Sequence, residues 1–144
     1  MSNIYPSWWD TTVTLYNKYE DSKGEVTWYR TVLTGCFWRY LTDYARIDDA
    51  TQMTKVLLCR VRKNDSFLEN YVWNESDDKS SYFTFSDGDI MVKGEVEDSI
   101  DEYTSGTRSS DLLLKYKNRC ATITECVINV GTDRTSEHYL VRGI

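Results

Sequence analysis

The chain has 144 residues, a length that suits one domain over residues 1–144, and its 40% hydrophobic and 28% charged content is that of a folded globular protein. A formal net charge of -6 and a pI of about 4.8 argue against retention on DNA by phosphate neutralisation, which needs a basic face. No stretch approaches the roughly 20 apolar residues of a membrane helix. Residues 1–10 lack the basic and apolar regions of a signal peptide, so a cytoplasmic protein without membrane contact is expected.

Residues 11–19 carry Val13, Leu15 and Tyr19 on one parity and Thr12, Thr14, Tyr16 and Lys18 on the other, which is the period-two pattern of a strand. The stretch 21–24 ends in Gly24 and reads as a turn. Residues 25–33 alternate again, with Val26, Trp28 and Val32 against Tyr29 and Leu33, so both faces of this strand are expected to be covered. The two strands form an antiparallel hairpin. Gly35 precedes the apolar run 36–41 and predicts a bulge or bend. Residues 42–52 are polar and lack apolar periodicity, which predicts a loop. The continuous apolar run Val56, Leu57, Leu58, Cys59 predicts a strand over 53–61 buried on both faces.

Between 62 and 81 the spacing of Phe67, Leu68, Tyr71, Val72 and Trp73 fits no single template. A helical turn or irregular segment pinning these side chains on the core is expected. Short strands follow at 82–85 and 90–93, separated by a turn at 86–89 and closed by Gly94. One helix is expected over 110–119. Ser109 or Ser110 is its N-cap, Leu112 and Tyr116 lie at i and i+4, Asp111 is near the positive end of the dipole, and Lys115, Lys117 and Arg119 are near the negative end. Strands at 121–130 and 137–142, joined by a turn at 131–134, complete a mainly β chain with one helix in its C-terminal half. About seven strands closed into a small antiparallel barrel would leave no exposed edges.

Charge is unevenly placed. Residues 65–102 hold 12 acidic side chains against Lys79 and Lys93, a local -10, while each flank sums to +2. This is either a solvated acidic surface or one past which a nucleic acid moves without sticking. The four cysteines, Cys36, Cys59, Cys120 and Cys126, form no C-x-x-C pair, so no zinc site is expected.

Residues able to carry chemistry are few. His138 is the single histidine and lies one strand away from Cys126. A Cys–His pair can act as nucleophile and base, but no orienting carboxylate or oxyanion-hole motif accompanies it. Asp87-Gly88-Asp89 hints at a calcium loop. However, Val92 and Asp98 stand where an EF-hand needs Gly and Glu, so the segment reads as a turn. Asp98, Asp101 and Glu102 lie in so acidic a stretch that solvation accounts for them. Phosphate-loop, dinucleotide and nucleophile-elbow motifs are missing. No catalytic residue, cofactor or metal is therefore assigned, and the chain is not expected to be an enzyme. Trp8 and Trp9, beside Pro6, have three uses open to them: covering the end of the barrel, anchoring a neighbouring subunit, or stacking on single-stranded nucleic acid.

Several stretches together resemble a group of short structural proteins of phages and prophages of Gram-positive bacteria. They are 9–19 (WDTTVTLYNKY), 28–33 (WYRTVL), 35–38 (GCFW), 88–94 (GDIMVKG), 100–106 (IDEYTSG) and 137–143 (EHYLVRG). The resemblance implies a head–tail connector of stopper-like, head-closure type, or else a tail-completion or tail-terminator protein. It implies a small barrel that self-associates into a ring around the DNA channel in the virion, with a monomer alone also open, and that passes DNA without reading its sequence. The partners would be virion proteins on the portal or adaptor side and on the tail side, met in the host cytoplasm during assembly and then in the virion. The alternative from composition alone is a β-barrel protein-binding adaptor. Residues 42–52 match the group least, and their length and position suggest a channel loop carrying Tyr44, Arg46, Asp48 and Asp49. With Trp8 and Trp9 these are the candidate interface residues.

Overall fold

The computed structural model describes residues 5–47, 50–130 and 136–144. Asp21 sets the first turn: its Oδ1 accepts from the N–H groups of Lys23 and Glu25, both at 2.9 Å, and Gly24 takes a φ of 82°. The chain then doubles back, and β1 (Thr11–Glu20) pairs antiparallel with β2 (Val26–Ile47) in the register Leu15 to Thr31 and Tyr16 to Arg30. Further along come β3 (Ala50–Arg62), α1 (Asn70–Glu75), β4 (Ile90–Lys93), α2 (Ser109–Lys115), β5 (Cys120–Asn129) and β6 (His138–Gly143). The strands close in the order β1-β2-β3-β6-β5-β4, with β4 returning to β1, so the expected small antiparallel barrel is what the chain forms.

Two apolar layers result. Alternation sends Val13, Leu15, Leu33, Leu57, Cys59, Val61, Met91, Ile123 and Val141 to the barrel interior, where Phe83, Phe85 and Phe67 plug the remaining space against Tyr139. The opposite face of β1 is covered as well. Tyr16, Ile90 and Val92 pack under Val96, Ile100 and Leu112, which bring α2 and its preceding loop onto the outside of the barrel. Thr14 donates to the Gly94 carbonyl at 2.7 Å and accepts from the Val96 N–H at 3.0 Å. Tyr16 donates to the Asp98 carbonyl at 2.6 Å. The strand covered most completely on both sides is thus β1, where Thr14 and Tyr16 of the expected polar parity are buried. In 25–33, by contrast, Thr27 and Arg30 reach solvent.

Other expectations shift in instructive ways. Gly35 does mark a bulge: it has a φ of 66°, and the β1–β2 register slips opposite Thr11 and Val13. The bulge bends β2 without ending it, so the runs 25–33 and 36–41 are one strand. Residues 82–85 are not a strand; only Phe83 makes an isolated parallel bridge, to Phe67. The barrel closes with six strands for these reasons. The predicted helix ends at Lys115 rather than 119, and its N-cap is Arg108, since Ser109 already lies within the helix. Asp111 accepts from the Arg108 N–H at 3.1 Å, closing the first turn from inside. The irregular segment holds a second short helix, α1, which buries Trp73 against Tyr19 and Tyr29. The turn at 131–134 lies outside the described residues.

The loop expected at 42–52 is corrected most. Residues 42–47 continue β2, and 50–52 begin β3. Pairing runs without a break from Phe37–Arg60 to Ile47–Ala50. The missing apolar periodicity misleads here because, among the described residues, no third strand or second sheet joins this ribbon to impose an inward face on its sequence.

Candidate functional site

The barrel uses only part of its longest hairpin. β1 accompanies β2 as far as Cys36, and β6 accompanies β3 only from Leu57 to Arg62. The seven rungs from Leu41–Val56 to Ile47–Ala50 stand beyond both. Among the described residues no third strand joins them. At ~3.4 Å per residue this arm projects about 24 Å. Residues 39–55 carry three basic side chains (Arg39, Arg46, Lys55) and three acidic ones (Asp43, Asp48, Asp49), so the arm is neutral within an acidic chain. Of the predicted site residues, Tyr44 and Arg46 are placed by their backbone in the arm portion of β2. Asp48 and Asp49 lie outside the described residues.

Trp8 and Trp9 part company. Trp9 is buried. It stacks on Tyr5 at 5.5 Å and Phe37 at 6.5 Å, and meets the His138 ring edge-on at 5.4 Å. Its carbonyl accepts from Arg62 Nη2 at 3.0 Å, while Arg62 Nε donates to the Gly35 carbonyl at 2.8 Å. One guanidinium therefore ties the N-terminal turn to the bulge at the foot of the arm. Trp8 leans edge-on against Phe37 at 5.3 Å and leaves 60% of its surface in solvent. Of the two, Trp8 alone is available to a partner.

His138 and Cys126 are not brought together. Cys126 pairs with Val141 and packs on the core. His138 Nε2 lies 2.9 Å from Arg60 Nη1 and 3.0 Å from Asn129 Nδ2, and its Nδ1 lies 3.0 Å from the Ser136 carbonyl. With Arg60 and the Ser136 carbonyl at its two nitrogens, the ring is held by structural contacts rather than aimed at a thiol. Burial pushes the Cys126 thiol up to about 12. The acidic trio is likewise occupied locally. Asp98 accepts from Tyr116 and Lys115, Asp101 from the Tyr103 N–H and Thr104, and Glu102 from the Ser109 N–H and hydroxyl. Lys115 and Tyr116 together hold the Asp98 carboxyl below its ordinary value. Among the described residues no three His, Cys, Asp or Glu side chains form a metal-binding group, and no helix is long and apolar enough to cross a membrane.

The acidic stretch is mostly solvated surface, with Asp65, Glu69, Glu75, Asp77, Asp78, Asp87, Glu95, Glu97 and Asp101 exposed. Asp89 is the exception. It is buried, with Oδ1 accepting from the Lys18 N–H and Oδ2 from Asn17 Nδ2 and the Ser86 N–H, all at 2.9 Å. Asn17 also donates to the Thr84 carbonyl at 2.7 Å. Desolvation lifts the Asp89 carboxyl to about 6 against these donors.

Sequence reasoning also missed an open sheet edge. After a bulge at Thr124 the second half of β5 keeps β6 on one side and, among the described residues, has no strand on the other. Val127, Ile128 and the following Val130 stay 46%, 45% and 73% exposed. The signal was available: in 123–130 apolar residues fall on both parities, and covering both faces needs neighbours that this end of the barrel does not supply.

No curated protein and no solved structure matches the chain. A match to a protein family does cover the barrel from Trp8 to its last strand: residues 8–144 fit the family of unknown function DUF6751, and the chain belongs to that family.

Proposed function

We propose that this chain is a virion structural protein of a phage or prophage. It acts at the head–tail connector as a stopper-like head-closure component, by assembly with other proteins and with copies of itself around the DNA channel. The observation that carries the reading is the arm. A lone two-stranded ribbon is marginal in water, so one kept outside a closed barrel calls for something to grip. The resemblance over nearly the whole chain supplies the setting. The exposed Trp8 gives a protein partner an aromatic anchor, and the solvated acidic stretch keeps a passing polyanion mobile. In this reading the barrel is scaffold, the chain works without catalysis, and its places are the host cytoplasm during assembly and then the virion.

The test is co-expression with the products of neighbouring genes. Portal or adaptor and tail proteins should co-purify with the intact chain and not with one whose residues 43–53 are replaced by a short turn. In a phage carrying that replacement, heads should fill with DNA and then lose it. Heads that retain their DNA would count against a channel-closing arm, and absence of co-purification with any virion protein would overturn the assembly role.

A further inference from the structure

Among the described residues no strand covers the backbone edges of the arm, and the same molecule offers a place for one of them. Thr122 and Ile144 exchange two N–H to carbonyl bonds at 2.9 Å. In an antiparallel ladder such pairs alternate, so Arg142, Leu140 and His138 turn their backbone groups toward β5. Their partners are Glu125, Val127 and Asn129. Cys126, Ile128 and Val130 then direct theirs the other way, to the side where no strand lies among the described residues. We propose that this outer edge of β5, residues 125–130, is a strand-acceptor site whose occupant is the β2–β3 arm of a second copy of this chain. The inference rests on the assembly role above and names the partner of the arm.

Three observations favour a second copy over another occupant. The lengths agree: six edge residues span about 20 Å against about 24 Å for the arm. The charges allow it: the arm is neutral, and β5 with β6 carries Glu125 against Arg142, which pair at 3.3 Å, so neither surface bears the repulsion of a chain at -6. The edge is also aliphatic where it is open. Exposed apolar β-branched residues on an edge invite strand addition, whereas edges meant to stay free carry charge or Pro. Arm and edge are different surfaces, so the contact is heterologous and each copy both donates and accepts. Such contacts repeat from copy to copy, giving a ring where the rotation closes and a filament where it does not.

Two one-sided variants test this. Ile128→Pro removes an outward N–H and leaves the β6 ladder intact. The other variant replaces residues 43–53 by a short turn. In sedimentation over rising concentration the wild type should form oligomers, and each variant alone should lose association by at least about tenfold. An equimolar mixture of the two should give a dimer and nothing larger, because one copy retains only the acceptor and the other only the arm. Ile128→Lys, which keeps every backbone donor and puts charge on the edge, should behave as Ile128→Pro does. A wild type that stays monomeric up to its solubility limit would overturn the inference, as would edge variants that oligomerise normally or a mixture that stays monomeric. A monomeric chain that still co-purifies with portal or tail proteins leaves the assembly role standing. Arm-to-edge dimers with no virion partner overturn that role and not this contact.

Discussion

Single residues separate what holds the fold from what is left for partners. Trp9 is almost fully buried against Tyr5, Phe37 and His138, so Trp9→Ala should cost about 3–5 kcal/mol in urea unfolding. Trp8→Ala, one position earlier, should cost about 1 kcal/mol or less and act on co-purification instead. Asp89 gives a pH-dependent case. Its carboxyl titrates near 6 when folded and near the ordinary 3.8 when unfolded, so between those values the folded chain holds the extra proton. Its contribution is fully present below about pH 4, declines as pH rises through 6, and is level above. Asp89→Asn places an N–H donor where three donors converge and should cost about 1–3 kcal/mol. Thermal melts at several pH values should show the gap between wild type and variant widening from pH 7 to pH 5.

At the scale of elements, the bulge at Gly35 joins barrel to arm, and only Gly suits it. A Cβ there would sit 2.5 Å from Arg62 Nε in a left-handed backbone. Gly35→Ala should therefore strain the bulge and displace the guanidinium from the Gly35 and Trp9 carbonyls. A cost of about 2–4 kcal/mol is expected in chemical denaturation. Most elements were legible in the sequence because the barrel imposes its period on them. Val13 and Leu15 face the core, and Gly24, Gly35, Gly88 and Gly94 take the positive φ that turns and bulges need. Three features were not legible. The arm stands beyond the strands that pair with the barrel, so 42–47 lacked the pattern that marks a strand. Phe83 and Phe85 alternate like strand residues, yet they serve as a plug. Tyr16 and Thr14 look like a solvent face because the segment that covers them, 94–112, lies some eighty residues downstream. Of the predicted site residues, Trp8 emerged exposed and Trp9 became core, a split that adjacency in the sequence conceals.

For the whole molecule, the closed barrel and the arm should behave as separable units. Replacing 43–53 by a short turn removes no residue of either buried cluster, so the melting temperature should stay within a few degrees of wild type. Removing residues 137–144 should instead abolish cooperative melting, because β6 lies between β3 and β5 and contributes Tyr139 and Val141 to the interior. Circular dichroism melts of the two truncations give the contrast directly.

The position of β6 also sets a timetable for synthesis. Leu57 finds its partner Gly143 86 positions later. At ribosomal speeds of roughly 5–20 residues per second, β3 waits on the order of 4–17 s with one side unpaired. During that interval the nascent chain presents a bare apolar strand to the crowded cell. Holding factors that bind extended peptides are expected to raise its soluble yield more than any change made to the finished barrel.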